Sequence, residues 1–340
     1  MLGINNSMNA GISSEMKLPL FKRILQMREF ILLVIVFAQF LVLSIISPYF
    51  LTEENIIAVV FGFSLDAIIA VGMTFVIACG EFDMSVGSTL ALTGVIVAKM
   101  LLGGVPTVIA ILLGGIFLGI LIGLVNGLIV TKVGINSFIT TLGMQGIVRG
   151  ISLIITQGYP ISKLPQDFTA IGQGYVGKIP YTFFIMFFII ILGEFLLRKV
   201  RYFRQTYYIG GNLTAAKYSG INVDRVKIAM FMIIGMLSGI AGALQTARLG
   251  SAMSTAGQSA ELRAISAVVI GGAALSGGEG SVLGTFLGVI LLAFVVNALV
   301  LLNVSIYWQS VVSGIVLLVA VAIDILAKKS SLSDGGKKKA

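Results

Sequence analysis

Asp66 stands near the middle of the apolar run 55–79, where an ionised side chain is expensive and is expected to serve a function or find a partner. A carboxylate in that position can accept hydrogen bonds from a hydroxyl-bearing solute, or it can pair with Arg149 of the run 135–156. Asn126, Gln145 and Asn297 are neutral hydrogen-bonding groups inside other apolar runs, suited either to lining a polar path or to tying helices together. Asp83 and Ser85 open a further run and can cap it. Arg248, Glu261 and Arg263 fall toward the ends of their runs, as contacts for an outside partner or as a solvated rim. The chain has no histidine, which removes imidazole metal sites, histidine proton relays and HExxH chemistry together. One cysteine, Cys79, permits no intramolecular disulfide. Gly172 to Lys178 fits G-x-x-x-x-G-K, but Ile179 stands where a hydroxyl must bind magnesium, and no buried strand precedes it. We therefore expect no catalytic residue, no metal site and no nucleotide site in this chain.

These side chains are carried by very apolar segments. Of 340 residues 57% are hydrophobic and 11% charged, with mean hydropathy +1.06, whereas soluble domains carry about 25% charged residues. The runs are continuous and of roughly the 20 residues that a helix needs to cross a bilayer, which argues against the alternating pattern of a β-barrel. The fold class is all-α, a polytopic helical membrane protein. Ten spans fit, at 29–49, 55–79, 85–102, 106–130, 135–156, 180–198, 227–249, 261–278, 282–302 and 306–326. An even number puts both ends on one side, and both are basic, so both termini are predicted to be cytoplasmic. The organisation is a cytoplasmic segment 1–28, a membrane domain 29–327 and a cytoplasmic tail 328–340. The first span is expected to be retained, being too long for a signal-peptide core and lacking an A-x-A cleavage pattern. The net charge of +9 lies in the N-terminal stretch, one loop and the C-terminal end, a distribution that sets orientation and offers no nucleic-acid surface.

That loop, 198–227, holds seven Lys or Arg and one acid, Asp224, and is expected in the cytoplasm. Within it Asn212 suits an N-cap, Leu213 to Ser219 make about two turns, Gly220 suits the left-handed position after the helix, and Ile221 packs back on it. A short capped helix presented to the cytosol is a docking element, and it predicts a transporter driven by a separate cytosolic motor. The segment 157–179, with two prolines and little charge, then lies outside as a lid or short surface helix. Gly115, Gly119, Gly123 and Gly127, and likewise Gly280, Gly284 and Gly288, recur every four residues and predict close helix packing. Gly271 to Gly280 is too rich in glycine for an unbroken helix, and Cys79 to Ser88 is a similar break.

Glu81-Phe82-Asp83-Met84-Ser85-Val86-Gly87-Ser88 resembles the G-x-D-L-S-V-G-S signature of ribose-type ABC importer permeases, with Glu81 and Met84 at variable positions. Gly211-Asn212, Ala215-Ala216, Ser219-Gly220-Ile221, Val223 and Lys227 are similar to that family's cytoplasmic loop. Ile270 to Ala273, Ser276 to Gly278, Gly280-Ser281 and Gly284-Thr285 are similar to its late glycine motif. The related branched-chain amino acid permeases usually carry a histidine-containing segment in place of Phe82 to Gly87, so the missing histidine favours the sugar branch. The resemblance spans about residues 40–327. It implies a permease in a bacterial cytoplasmic membrane, paired with a second copy or a paralogue. A cytosolic ATPase would carry ATP and Mg, and an extracytoplasmic binding protein would deliver a monosaccharide or related polyol. Asn212, Leu213, Ala215, Ala216, Ser219, Gly220 and Ile221 are then the ATPase-coupling residues, and Asp66, Asn126, Gln145 and Asn297 the substrate path. The same machinery with a nucleoside, furanone or amino-acid cargo is one alternative. An ion-driven transporter centred on Asp66 is another.

Overall fold

Alternation of apolar runs with capping and turn residues produces a helical bundle. The computed structural model describes residues 28–305 and single positions beyond them up to 322. The N-terminal segment, the C-terminal tail and most of the tenth run thus lie outside the described residues. The helices are α1 (Arg28–Ile46), α2 (Glu53–Ala78), α3 (Val86–Leu102), α4 (Thr107–Val133), α5 (Ser137–Thr156), α6 (Gln166–Gln173), α7 (Tyr181–Lys199), α8 (Arg201–Gly211), α9 (Leu213–Tyr218), α10 (Val223–Leu249), α11 (Ala260–Ile270) and α12 (Val282–Leu301). A small antiparallel hairpin pairs Tyr175–Val176 with Ile179–Pro180.

Seven of these helices are long and apolar enough to cross a membrane: α1, α2, α4, α5, α7, α10 and α12. The predicted spans 85–102 and 261–278 are shorter in the structure. Helix α3 has 17 residues, most of them buried, and α11 has 11. Helix α11 stops at Gly271, and positive φ at Gly272, Gly277, Gly278 and Gly280 turns the chain before Ser281 caps α12 by accepting from the Gly284 N–H at 3.1 Å. Glu194 of α7 helps here, its Oε2 accepting from the Val282 and Leu283 N–H groups at 2.9 and 3.1 Å. The two expected breaks meet, since the Gly278 N–H donates to the Ala78 carbonyl at 3.0 Å.

Helix α10 is the axis of the bundle and lies directly on the backbone of α4. A Cβ at Gly119 would overlap the Gly235 carbonyl, and one at Gly123 the Phe231 carbonyl. At Gly127 it would lie 2.8 Å from the Ile228 Cα, while Gly115 has ordinary room. Facing them, Gly235 and Gly239 of α10 meet the Gly119 and Gly115 carbonyls in the same way. Gly284 and Gly288 make a second such seam against Gly271 and Ala267. Gly280 belongs to the turn and not to this stripe, with φ +156° just ahead of α12. A wider π-helical winding at Ile111–Phe117 and Ile129–Val133 lets α4 follow α10 along its length.

The connections sort to two ends of the bundle. At one end Lys178 pairs with Glu53 (2.5 Å), Gln173 Nε2 donates to the Arg248 carbonyl (2.8 Å), and Ile161 bridges Ala252. At the other, Lys132 pairs with Asp224 (2.7 Å) and the Tyr202 hydroxyl donates to the Arg225 carbonyl (3.0 Å). Helix α7 joins 157–180 at the first end to 200–222 at the second. The G-x-x-x-x-G-K match falls across the end of α6 and the hairpin, with Lys178 paired to Glu53.

Candidate functional site: a capped helix at one end and a cavity within the bundle

The short helix forms as its sequence requires. Asn212 Oδ1 accepts from the Ala215 N–H at 2.9 Å, Gly220 takes φ +79°, and the Ile221 N–H returns to the Ala216 carbonyl at 3.2 Å. Its faces are unequal. Ala216 is 3% exposed and packs in the core with Ile221 alongside, so these two anchor the helix to the bundle. Leu213, Thr214, Ala215, Lys217, Tyr218 and Ser219 face outward, Tyr218 with 90% of its surface free. Tyr218, the most exposed of them, was not among the predicted coupling residues. Exposure is not legible in six residues read alone.

Helix α8, predicted only as basic loop, is the platform under α9. Its Phe203 ring sits 5.3 Å from that of Phe75, Ile209 is buried, and the Tyr207 hydroxyl donates to the Gly280 carbonyl at 2.6 Å. Burial pushes the Tyr207 phenol up to about 12, with the Glu194 carboxylate adding to it, so the group stays a donor. Phe203, Thr206, Tyr207 and Gly210 recur at helical spacing among the charges, and that periodicity was the available signal.

Below the helix, the break after α2 is held from three sides. The Phe82 N–H donates to Ser137 Oγ at 3.2 Å and the Met84 N–H to Thr141 Oγ1 at 2.9 Å. Asp83 Oδ1 accepts from the Ser85 N–H and hydroxyl at 2.8 and 2.6 Å, and Asn126 Nδ2 donates to Ser85 Oγ at 3.0 Å. Glu81 forms an ion pair with Lys227, with side chains only 13% and 15% exposed. Removing one partner leaves a desolvated charge, which costs about 3–5 kcal/mol in buried pairs. Lys227→Met is therefore expected to lower the melting temperature in detergent sharply, and Glu81→Gln/Lys227→Met to recover most of it. Equal melting of single and double variants would refute the pair.

The predicted substrate-path residues divide. Asn126 sits in the cluster just described, and Gln145 Nε2 donates to Glu261 Oε1 at 2.9 Å; both tie helices inside the bundle. Asp66 and Asn297 line one cavity of about 720 Å³ between α2, α10, α11 and α12. Asn297 and Asn55 exchange amide hydrogen bonds of 2.7 and 3.3 Å. The expected pairing of Asp66 with Arg149 is not made. Arg263 takes both Asp66 oxygens, Nε to Oδ2 at 2.9 Å and Nη2 to Oδ1 at 3.0 Å. Arg149 instead donates to the carbonyls of Ser254 and Ala256, the latter at 2.8 Å. Arg263 Nη1 also holds the Gln258 carbonyl at 3.0 Å. Glu261 and Arg263 are thus interior residues and not a rim. Two guanidiniums grip the segment 250–259, which leaves the first end of the bundle and reaches inward until Gly257 packs on Gly87. Irregular backbone at such depth persists only when enclosed by protein or lining a hydrated cavity.

The structure is a multi-pass helical bundle with a short, exposed, capped helix at one end and a cavity within that an ion pair lines. The sequence comparisons agree: residues 55–321 match the family described as branched-chain amino acid transport system / permease component, and the chain belongs to that family. It is 42% identical over 305 residues to the ribose import permease protein RbsC of Haemophilus influenzae, covering 88% of this chain and 93% of the relative. It is 44% identical to the Bacillus subtilis protein of that name (87% and 91% covered), and 36% identical to the D-allose transport system permease protein AlsC of Escherichia coli (88% and 91%). No solved structure matches it significantly.

Proposed function

We propose that this chain is the membrane-spanning subunit of an ATP-driven importer for a monosaccharide or related polyol. It works as a pair, with a second copy or a paralogue, in a bacterial cytoplasmic membrane. A cytosolic ATPase supplies ATP and Mg at its own sites, and an extracytoplasmic binding protein delivers the sugar. Ten spans with both termini in the cytoplasm fit this arrangement, because α8, α9 and their basic residues then face the ATPase. The observation that carries the reading is the outward face of α9, a capped helix rooted in the core at Ala216 and open at Leu213 and Tyr218. The sugar class is supported by relatives named as permeases for ribose, allose, L-arabinose and xylose. An ion-driven transporter centred on Asp66 is disfavoured, since both oxygens of that carboxylate are engaged by Arg263. Co-purification with a cognate ABC ATPase tests the reading. Stable association is expected, and an intact chain that captures no ATPase would refute it.

A further inference from the structure

We infer that the cavity beside Asp66 is where the sugar rests during passage, and that the Asp66–Arg263 pair recognises two neighbouring hydroxyls. This rests on the importer reading above. The pair uses only part of its hydrogen-bonding capacity. A carboxylate offers about four acceptor positions and a guanidinium five N–H groups. Arg263 spends two N–H on Asp66 and one on the Gln258 carbonyl, so among the described residues two donors and two acceptors remain. A vicinal diol, which both donates and accepts at each oxygen, is complementary to that remainder. The side chains are 27% and 29% exposed, and both line the cavity. At about 720 Å³ its volume falls in the range of ligand cavities, roughly 300–1,000 Å³. Its other polar groups include Gln258, Ser259 and Gln245, and Phe63 and Leu292 supply apolar wall for the C–H face of a ring. The cavity is open next to Gly62, where an added Cβ would meet none of the described residues within 4 Å. Arg149 and Arg263 are positioning residues for the segment 254–258.

Gly62 also supplies the test, because it lines the cavity and its Cβ position is open, so a large side chain there is expected to occupy cavity space. The complete transporter in proteoliposomes would be assayed for uptake of labelled D-ribose, D-allose, L-arabinose and D-xylose, following whichever the unaltered chain carries. Gly62→Trp is expected to lower uptake at least twentyfold and Asp66→Asn about tenfold, both retaining association with the ATPase. Phe188→Trp, on the outward face of α7, is the control and should transport normally. Normal uptake by Gly62→Trp would remove the cavity from the path and overturn the inference. Should Gly62→Trp fail to assemble, Asp66→Asn decides in the same way. If the unaltered chain binds no ATPase or carries none of the sugars, the importer reading falls first, which separates the two failures.

Discussion

Tyr218→Asp and Leu213→Asp are each expected to abolish stable binding of the ATPase while leaving the melting temperature of the permease unchanged. Both side chains are exposed on α9, Leu213 to 41%, and Tyr218 touches almost nothing of its own chain. Interface anchors of this kind are worth about 2–4 kcal/mol, which corresponds to a loss of roughly 30-fold or more in affinity. An aspartate adds desolvation to the lost contact. Ala216→Arg is expected to lose binding by a different route. Its side chain would have to enter the core, so the permease itself should melt earlier. Pull-down and thermal melting on the three variants separate contact from anchorage. Unimpaired binding by both aspartate variants would displace the docking surface from α9.

Gly119→Leu is expected to leave almost no monodisperse protein after extraction in detergent. The added Cβ would coincide with the Gly235 carbonyl, so no rotamer relieves the clash and α4 must separate from α10 along its length. Overpacking that side chains can absorb costs about 1–3 kcal/mol, and a backbone-to-backbone clash is expected to exceed that range. Gly146→Leu is the matched control, on α5 with nothing within 4 Å of its Cβ, and should extract like the unaltered chain. Equal yields from both variants would mean that the α4–α10 contact is absent. The comparison uses size-exclusion profiles of the two proteins.

Local chemistry was legible in the sequence and long-range partnership was not. The caps at Asn212 and Gly220 depend on their own neighbours, and they appear as read. The breaks at 79–88 and 271–280 likewise follow from glycine content, though Gly271 ends α11 sooner than apolar length suggested. Asp66 is different. Its partner is 197 residues away, and hydropathy says only that some partner is needed. Arg263 and Arg149 are equivalent cations to a sequence reader, and only packing decides that one holds the carboxylate while the other holds carbonyls. Asn126 and Gln145 looked like Asn297 for the same reason, since an amide inside a span carries no record of which helix face meets a cavity. In the glycine repeat of α4, Gly119, Gly123 and Gly127 lie against the α10 backbone, while Gly115 has ordinary room. The counterpart of that repeat, Gly235 and Gly239, repeats every four residues too and could have named α10 as the partner.

The seam between α4 and α10 also bears on how the protein moves. Side chains that interlock can change rotamers and let helices slip by small steps, but glycine facing a carbonyl has no rotamers to exchange. Those two helices must therefore travel as one rigid block. Relative motion is left to the parts of the chain with turns at depth, 250–259 and 271–281. Amide hydrogen exchange would record the difference as a timescale gap, slowest along α4 and α10 and faster in those two segments.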